Sequence, residues 1–277
     1  MKHKIIVDSC CDLTPDMKDK YQITTVPLTM HLGSKDFTDD DSLDLTEFMN
    51  QMKGCKEKVG SASPAPYLYQ EAFKGTDNAF VVTLSSQLSG SYNSAVTGKS
   101  SFEDENSSNI HIFDSKTASA GETLIALKLH RLLEEGKSVN HVLAIMRRFI
   151  DGMKTYFVLE NYDNLQKNGR LGKVKGKLIQ VLNIKLIMGA DDNGDIALFE
   201  KARGIRSMLK SLLSLIDKSG RKTQGESLVI SHCNNSELAE ELSYEINKRF
   251  QFKEIFVIPT GGLSSLYTDD KGIVMAF

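Results

Sequence analysis

The chain has 277 residues, of which 40% are apolar and 25% charged, the proportions of an ordinary globular protein. This length exceeds the usual size of one domain, so two cores are expected, although one large α/β domain would also accommodate it. The formal charge of −2, with Lys and Arg interleaved among Asp and Glu, leaves no basic surface for phosphates. We therefore expect no nucleic-acid partner.

The first apolar run, Ile5 to Val7, is too short for a signal sequence or a membrane span. We expect a cytoplasmic protein with no stable membrane insertion. The cysteines show no C-x-x-C spacing, which favours reduced thiols over disulfides or a metal site; they are Cys10, Cys11, Cys55 and Cys233. No metal and no cofactor is predicted.

The first half of the chain alternates short β-branched runs with longer segments of helical spacing. Strands are predicted at Lys4 to Val7, Ala79 to Leu84, Ile110 to Phe113 and Thr155 to Leu159. Helices are predicted at Gly121 to Glu135 and at Ser138 to Ile150, where apolar residues recur on one face. Strands that alternate with helices of this length indicate a parallel sheet covered on both faces.

The second half has a different pattern. Ile184 to Met188 and Ile196 to Phe199 flank Asn193-Gly194, which predicts an antiparallel hairpin. Further elements are expected as helices at Ile205 to Lys218 and Glu237 to Phe250, and as strands at Ser227 to Ser231, Glu254 to Ile258 and Gly272 to Phe277. The predicted fold class is thus α/β, with a parallel-sheet α/β domain at residues 1–160 and an α+β domain with a mixed or antiparallel sheet at residues 161–277.

Three of the predicted strands end in loops crowded with hydroxyl groups. These loops contain Asp8, Ser9 and Thr14; Ser85, Ser86, Ser89 and Ser91; and Asp114, Ser115, Thr117 and Ser119. Ser and Asp in such places often only cap the following helices. Ligands of open parallel sheets bind beyond the carboxyl ends of the strands, however, so three such loops together favour a binding site.

The loop from Leu84 to Ala95 carries the sharpest signal. Gly90 allows the backbone to approach a ligand closely, and Ser89 and Ser91 offer hydroxyl donors beside the free N–H groups of a helix N-terminus. Such a place favours an anion. A second hydroxyl-bearing segment, Gly60 to Pro66, is held extended by its prolines, although a plain loop explains it equally well.

Several catalytic patterns are absent from the sequence. It contains no G-x-x-x-x-G-K-[ST], G-x-S-x-G or H-E-x-x-H, and no G-x-G-x-x-G after the first strand, and none of its six histidines lies in the serine-rich loops. Hydroxyl groups without a general base favour binding over catalysis, so no catalytic residue is predicted. Two alternatives stay open: a phosphotransfer or acyl-transfer enzyme that uses one of these serines as nucleophile, and a regulatory module for another small anion.

At these residues the chain resembles the DegV family of fatty-acid-binding proteins, over nearly its whole length. The resemblance is carried by Val7-Asp8-Ser9 with Asp12-Leu13, Val26-Pro27-Leu28, Ser61-Ala62-Ser63-Pro64, Leu84 to Tyr92, Phe113-Asp114-Ser115-Lys116 and Asn168-Gly169-Arg170-Leu171. It implies one long-chain fatty acid, such as palmitate or stearate, between the two domains, with its tail inside the N-terminal domain. It also implies a carboxylate site, for which the matching positions are Ser61, Ser63, Ser89, Gly90, Ser91, Arg170 and Thr260.

The resemblance further implies a non-enzymatic carrier, in some bacteria one that presents the acid to a separate fatty-acid kinase. The sequence departs from the family pattern at several places. Cys10 stands at the position of the Thr in the usual D-S-T motif, and Ser61 stands where Thr is usual. Pro259 replaces the histidine of H-T-G-P-G. The loss of that histidine bears more on the kinase than on the binding of the acid.

Overall fold

A computed structural model describes residues 2–103, 109–172, 174 and 183–277. In chain order the elements are β1 (His3–Asp8), α1 (Pro15–Tyr21), β2 (Ile23–Val26), β3 (Thr29–Leu32), β4 (Lys35–Thr38), α2 (Leu45–Gly54), β5 (Val59–Ala62), α3 (Pro66–Phe73), β6 (Asn78–Thr83), α4 (Ser91–Glu103), β7 (Asn109–Asp114), α5 (Ala120–Glu134), α6 (Val139–Gly152), β8 (Thr155–Val158), α7 (Asp163–Lys167), β9 (Ile184–Ala190), β10 (Ile196–Arg203), α8 (Gly204–Lys218), β11 (Ser227–His232), α9 (Ser236–Arg249), β12 (Glu254–Pro259), α10 (Gly262–Thr268) and β13 (Ile273–Ala276).

The first sheet is parallel and has the strand order β2-β1-β6-β7. All six residues of β6 are buried, which explains the continuous apolar run in its sequence. The second sheet is mixed and has the order β10-β9-β8-β13-β11-β12, in which β11 and β12 are parallel and the other pairs antiparallel. The predicted fold class is confirmed.

Helices separate and cover the two sheets. Helices α5 and α6 lie between them, with Leu124, Ile125 and Met146 packed in one core with residues of both sheets. Helices α3 and α4 cover the other face of the first sheet, and α8 and α9 cover the outer face of the second. The structure therefore has five layers in the order helices, first sheet, helices, second sheet, helices, and the two sheets share the middle layer of helices.

One predicted strand belongs to a different sheet from the one expected. We expected Thr155 to Leu159 to lie with the parallel strands of the first half, but β8 pairs antiparallel with β13 and β9 in the second sheet. The assignment was wrong because a strand's apolar pattern does not specify its partner. The division into two domains at residue 160 stays a prediction.

A small third sheet was absent from the predictions. It has the antiparallel order β4-β3-β5 and packs with α2 and α10 around Met30, Phe48 and Leu263. These strands have four residues each, too short for alternation to be recognised. Their position matters because β5 carries Ser61 to the edge of the space between the two larger sheets.

Candidate functional site

A cavity lies between the two large sheets and takes its walls from both halves of the chain. It holds about 820 Å³ of empty space, including the solvent at its mouth. Most of its wall is apolar and comes from Leu28, Leu84, Leu88, Ala118, Phe157, Leu159, Leu165, Ala190, Ile196, Leu263 and Val274. Such a wall suits a long hydrocarbon chain better than a sugar or a nucleotide.

One end of the cavity is polar. There the hydroxyl groups of Ser61 and Tyr267 are hydrogen-bonded at 2.9 Å, and Ser89 and Arg170 join them in the wall. Each of the two hydroxyls carries one hydrogen, and the hydrogen bond between them uses only one of the two. The other O–H is therefore free to donate to a ligand. This end of the cavity therefore offers donors.

Arg170 is held in place by two backbone carbonyl groups. Its Nε donates to the carbonyl oxygen of Leu88 at 3.1 Å, and its Nη1 donates to that of Asn168. Asn168 is fixed in turn, because its amide donates to the carbonyl of Val59 at 2.8 Å. A guanidinium group has five N–H donors, so these contacts orient it and leave others for an anion.

Of the predicted site residues, the structure brings Ser61, Ser89 and Arg170 together in the cavity wall. Ser63 and Gly90 lie directly behind this end: a Cβ on Gly90 would be 3.1 Å from the Ser63 hydroxyl oxygen. Among the described residues that form the wall, Ser63, Gly90, Ser91 and Thr260 do not appear. We infer that Gly90 and Ser63 shape the turn that presents Ser89.

Ser91 has an internal partner instead of a place in the cavity. It is completely buried, and its hydroxyl donates to Asp8 Oδ2 at 2.6 Å and lies 2.7 Å from the hydroxyl of Tyr69. The N–H of Ser91 donates to the Ser89 hydroxyl oxygen at 3.2 Å. Ser91 therefore ties the serine-rich turn to the end of β1.

Thr260 lies in a neighbouring pocket. Its hydroxyl is 2.8 Å from that of Ser265, and the pocket around it is also lined by His232, Cys233 and Pro259. Thr260 immediately precedes Gly261 and Gly262, whose N–H groups are held by carboxylates of the first half. Its position thus supports the loop before α10.

Buried carboxyl groups hold the turns around the cavity. Asp8 accepts hydrogen bonds from the N–H groups of Leu84, at 2.9 Å, and Cys10, at 3.1 Å, besides that from Ser91. Burial raises the pKa of Asp8, although these hydrogen bonds oppose the shift. Asp8, the aspartate at the end of the first strand, therefore belongs to the framework that holds the site.

Two further carboxyl groups attach the C-terminal segment to the first half. Asp12 accepts from the Gly261 N–H at 2.8 Å and from the Ser119 hydroxyl, and Asp39 accepts from the N–H groups of Gly262 and Leu263. Burial raises the pKa of Asp12, and it raises that of Asp39 to about 6. These contacts position α10, which carries Tyr267 into the cavity.

Sequence reasoning missed Tyr267 and Asp39. Leu263 and Tyr267 are four residues apart, the spacing that places two side chains on one helix face, and both lie in the cavity wall. That spacing was the available signal. For Asp39, a buried carboxylate bound across more than two hundred residues of sequence, no local signal exists.

For the serine-nucleophile alternative, the described residues place no general base in hydrogen-bond contact with Ser61 or Ser89. Ser61 contacts a tyrosine hydroxyl and Ser89 a backbone N–H, and within the described ranges no histidine lies in the cavity wall. Across the same residues, no group of three His, Cys, Asp or Glu side chains is placed to hold a metal ion. No helix in the part of the chain that is described has both the length and the apolar character needed to cross a membrane.

Comparison with known proteins places this site in context. A family model described as "Uncharacterised protein, DegV family" matches residues 2–276. A DegV domain-containing protein of Streptococcus pyogenes serotype M18 is 35% identical over 280 residues, which cover 100% of this chain and 99% of that protein.

Two solved structures are similar throughout. A DegV family protein from Ruminococcus gnavus, refined with vaccenic acid, is 39% identical, with a TM-score of 0.95 and 99% of each chain covered. The Streptococcus pneumoniae Fatty Acid Kinase (Fak) B3 protein, loaded with linoleic acid, is 34% identical, with a TM-score of 0.92, and the match covers 100% of this chain and 99% of that one. The chain belongs to the DegV family.

Proposed function

We propose that this protein binds a long-chain fatty acid without transforming it, with the acyl chain in the cavity and the carboxylate at Ser61, Ser89, Arg170 and Tyr267. The observation that carries the proposal is an apolar cavity whose free hydroxyl and guanidinium donors are gathered at one end. The vaccenic acid of the Ruminococcus relative and the linoleic acid of the pneumococcal one support it.

The acyl chain would lie between the two halves, not inside the first half as the family resemblance implied, because residues of both sheets form the cavity wall. Phe73, Phe80, Met30 and Met146 are buried in the packed cores of the fold. Burial of about sixteen carbons at ~0.8 kcal/mol per CH₂ gives a gross gain of ~12 kcal/mol, from which the cost of association subtracts several kcal/mol. The hydrocarbon chain therefore supplies the affinity.

The polar end would supply the selection for an acid. A carboxylate buried without hydrogen bonds is costly, whereas a hydrogen bond to a charged group contributes about 1.5–3 kcal/mol. The Ser61–Tyr267 pair and Arg170 offer such bonds. An ester or alcohol of the same length gains less from them and is expected to bind more weakly.

We also propose that the bound acid is presented to a separate fatty-acid kinase, and that no reaction occurs on this chain alone. The name of the pneumococcal relative, a Fatty Acid Kinase (Fak) B3 protein, supports the kinase partner. Pro259, at the position of the family histidine, is exposed beside the Thr260 pocket. Formation of acyl phosphate from ATP, the acid-loaded protein and a fatty-acid kinase tests the partnership, and turnover of ATP or an ester by the protein alone would contradict a non-enzymatic role.

The first experiment is mass spectrometry of a solvent extract of the purified protein. Co-purifying C16 or C18 acids support the proposal, whereas a different small anion, or no ligand together with no binding of added acid, would refute it.

The second experiment compares a free acid with its methyl ester. Ser89→Ala is expected to weaken binding of the acid by about ten- to a hundredfold, the equivalent of one hydrogen bond to a charged group, and that of the ester much less. Ser100→Ala, an exposed serine on α4, is the matched control. Equal losses for acid and ester in Ser89→Ala would count against this head-group assignment.

A further inference from the structure

The strand β8 gives the cavity a direction. Thr155, Phe157 and Leu159 all line it, and at ~3.3 Å per residue they extend over about 13 Å. From the Leu159 end the chain continues into α7, where Asn164 donates to the carbonyl of Leu266 at 2.8 Å, and then to Arg170, so this end of the strand is the polar end. The opposite end of the cavity therefore lies beside Thr155, at the start of β8.

The β9–β10 hairpin surrounds that opposite end. Tyr156 pairs with Gly189, which places Ala190 beside Thr155, and Ile196 pairs with Ala190 across the hairpin. Ala190 and Ile196 both line the cavity. They lie on the sheet face that carries Leu186 and Met188, whose side chains pack in the same cluster as Leu159.

The hydroxyl groups described at this end are already used by the protein. Thr155 and Thr117 hydroxyls are hydrogen-bonded at 2.7 Å, and the Thr117 hydroxyl can donate onward to the carbonyl of Ala118 at 3.4 Å. The Ser85 hydroxyl donates to the carbonyl of Gly194 at 2.8 Å. Unlike the Ser61–Tyr267 pair, this arrangement keeps no hydroxyl donor for a carboxylate, so it suits the methyl end of an acyl chain.

The turn of the hairpin also closes the cavity by backbone contact. Gly194 has φ +88°, and a Cβ there would lie 2.4 Å from the Ser85 hydroxyl oxygen and 2.9 Å from the Lys116 Cα. The turn is braced internally, since the N–H of Asp191 donates to the Asp195 carbonyl at 2.9 Å. The two halves therefore meet here without room for a further side chain, let alone an acyl chain.

We propose that this contact is a fixed end stop, and that Ala190 and Ile196 in front of it set the longest acyl chain that the protein accepts. The proposal rests on the proposed fatty-acid binding and adds the residues that measure chain length. A larger side chain at Ala190 shortens the usable cavity, and a smaller one at Ile196 lengthens it.

The test measures dissociation constants of saturated C14, C16, C18 and C20 acids with the delipidated full chain. Each buried methylene changes affinity about fourfold, the equivalent of ~0.8 kcal/mol, and Leu adds three carbons at position 190. We expect Ala190→Leu to lower the preference for C18 over C14 by about 4- to 16-fold. Ala144→Leu makes the same change at an exposed position of α6 and is expected to keep the wild-type profile.

Ile196→Ala provides an independent reading and decides the matter if Ala190→Leu does not fold. We expect it to raise the preference for C20 over C16 by a similar factor. If a folded variant binds every acid with the wild-type chain-length profile, the end stop is refuted while the proposed function stands. If the wild-type protein binds no acid of any length, the proposed function itself fails, and the end stop with it.

Discussion

Asp39 connects the first half of the chain to the helix that carries Tyr267, and its substitution should change stability in a pH-dependent way. Its two carboxylate oxygens accept hydrogen bonds from the N–H groups of Gly262, at 3.1 Å, and Leu263, at 2.9 Å. The side chain is only 7% exposed, and burial raises the pKa of its carboxyl from 3.8 to about 6. The perturbation we consider is Asp39→Asn.

The magnitude follows from that pKa. Because the folded value lies above the unfolded one, the carboxyl contributes most to stability below about pH 4, and this contribution is lost as the pH rises through about 6. At ~1.4 kcal/mol for each tenfold change in proton affinity, the loss approaches about 3 kcal/mol. Asn does not titrate, and its single acceptor oxygen forgoes one of the two backbone hydrogen bonds, at a cost of about 1–3 kcal/mol. The wild type should therefore be more stable than Asp39→Asn in acid by about 1–3 kcal/mol, whereas at about pH 8 the variant should be as stable as the wild type or up to about 2 kcal/mol more stable.

Urea unfolding of both proteins between about pH 4.5 and about pH 8 measures this difference. Asp44→Asn is the control, because Asp44 also accepts a backbone N–H, from Glu47 at 2.9 Å, but from an exposed position. A difference in unfolding free energy between wild type and Asp39→Asn that stays constant across this pH range would refute the reasoning.

Three further predictions concern other groups around the cavity. Glu122→Gln should gain melting temperature relative to the wild type as the pH rises above the usual Glu value of 4.5. Burial, and then the charge of Asp8, raise the pKa of Glu122 well above that value, so the wild type alone loses stability as the pH rises; a difference between the two proteins that does not change with pH would contradict this. Tyr267→Phe should weaken binding of the free acid several-fold, by about 1 kcal/mol, in titrations where the exposed Tyr244→Phe serves as control, and an unchanged affinity would remove Tyr267 from the head-group site. In timed labelling with a thiol reagent, Cys55 should react first because it is partly exposed while the other three cysteines are buried, and faster labelling of a buried cysteine would show that the native packing differs.

The elements that the sequence predicted well carry local signals. The helix expected at Ser138 to Ile150 is observed as α6, Val139–Gly152, because its apolar face repeats with the helical period over several turns. The hairpin around Asn193-Gly194 is likewise observed, with a positive φ at Gly194. Signals of this kind lie within a few neighbouring residues, so the chain alone reveals them.

Features fixed by distant partners were not predictable. The strand Thr155 to Leu159 has an apolar pattern suited to either sheet, and its pairing with the last strand of the chain decides which one it joins. In the same way, the serine-rich turns show many hydroxyls, but not which of them are already bound. The Ser91 and Ser119 hydroxyls donate to Asp8 and Asp12, so both are engaged in the framework although Ser119 also lines the cavity, whereas the Ser61 and Ser89 hydroxyls lie in the wall without a carboxylate partner among the described residues.

The polar end of the cavity depends on the packing of the two halves. Ser61 comes from β5 and its partner Tyr267 from α10. Arg170, which follows β8 and α7 in the chain, donates to the carbonyl of Leu88. Neither half has this set of donors by itself, although the three serine-rich turns all belong to the first. A ligand that binds these donors and both apolar walls therefore binds only the packed chain, so its binding must raise the free energy of unfolding by mass action. It follows that acids which fit the cavity should stabilise the fold in the order of their affinity, and that an acid which binds tightly without stabilising it must bind the unfolded chain as well.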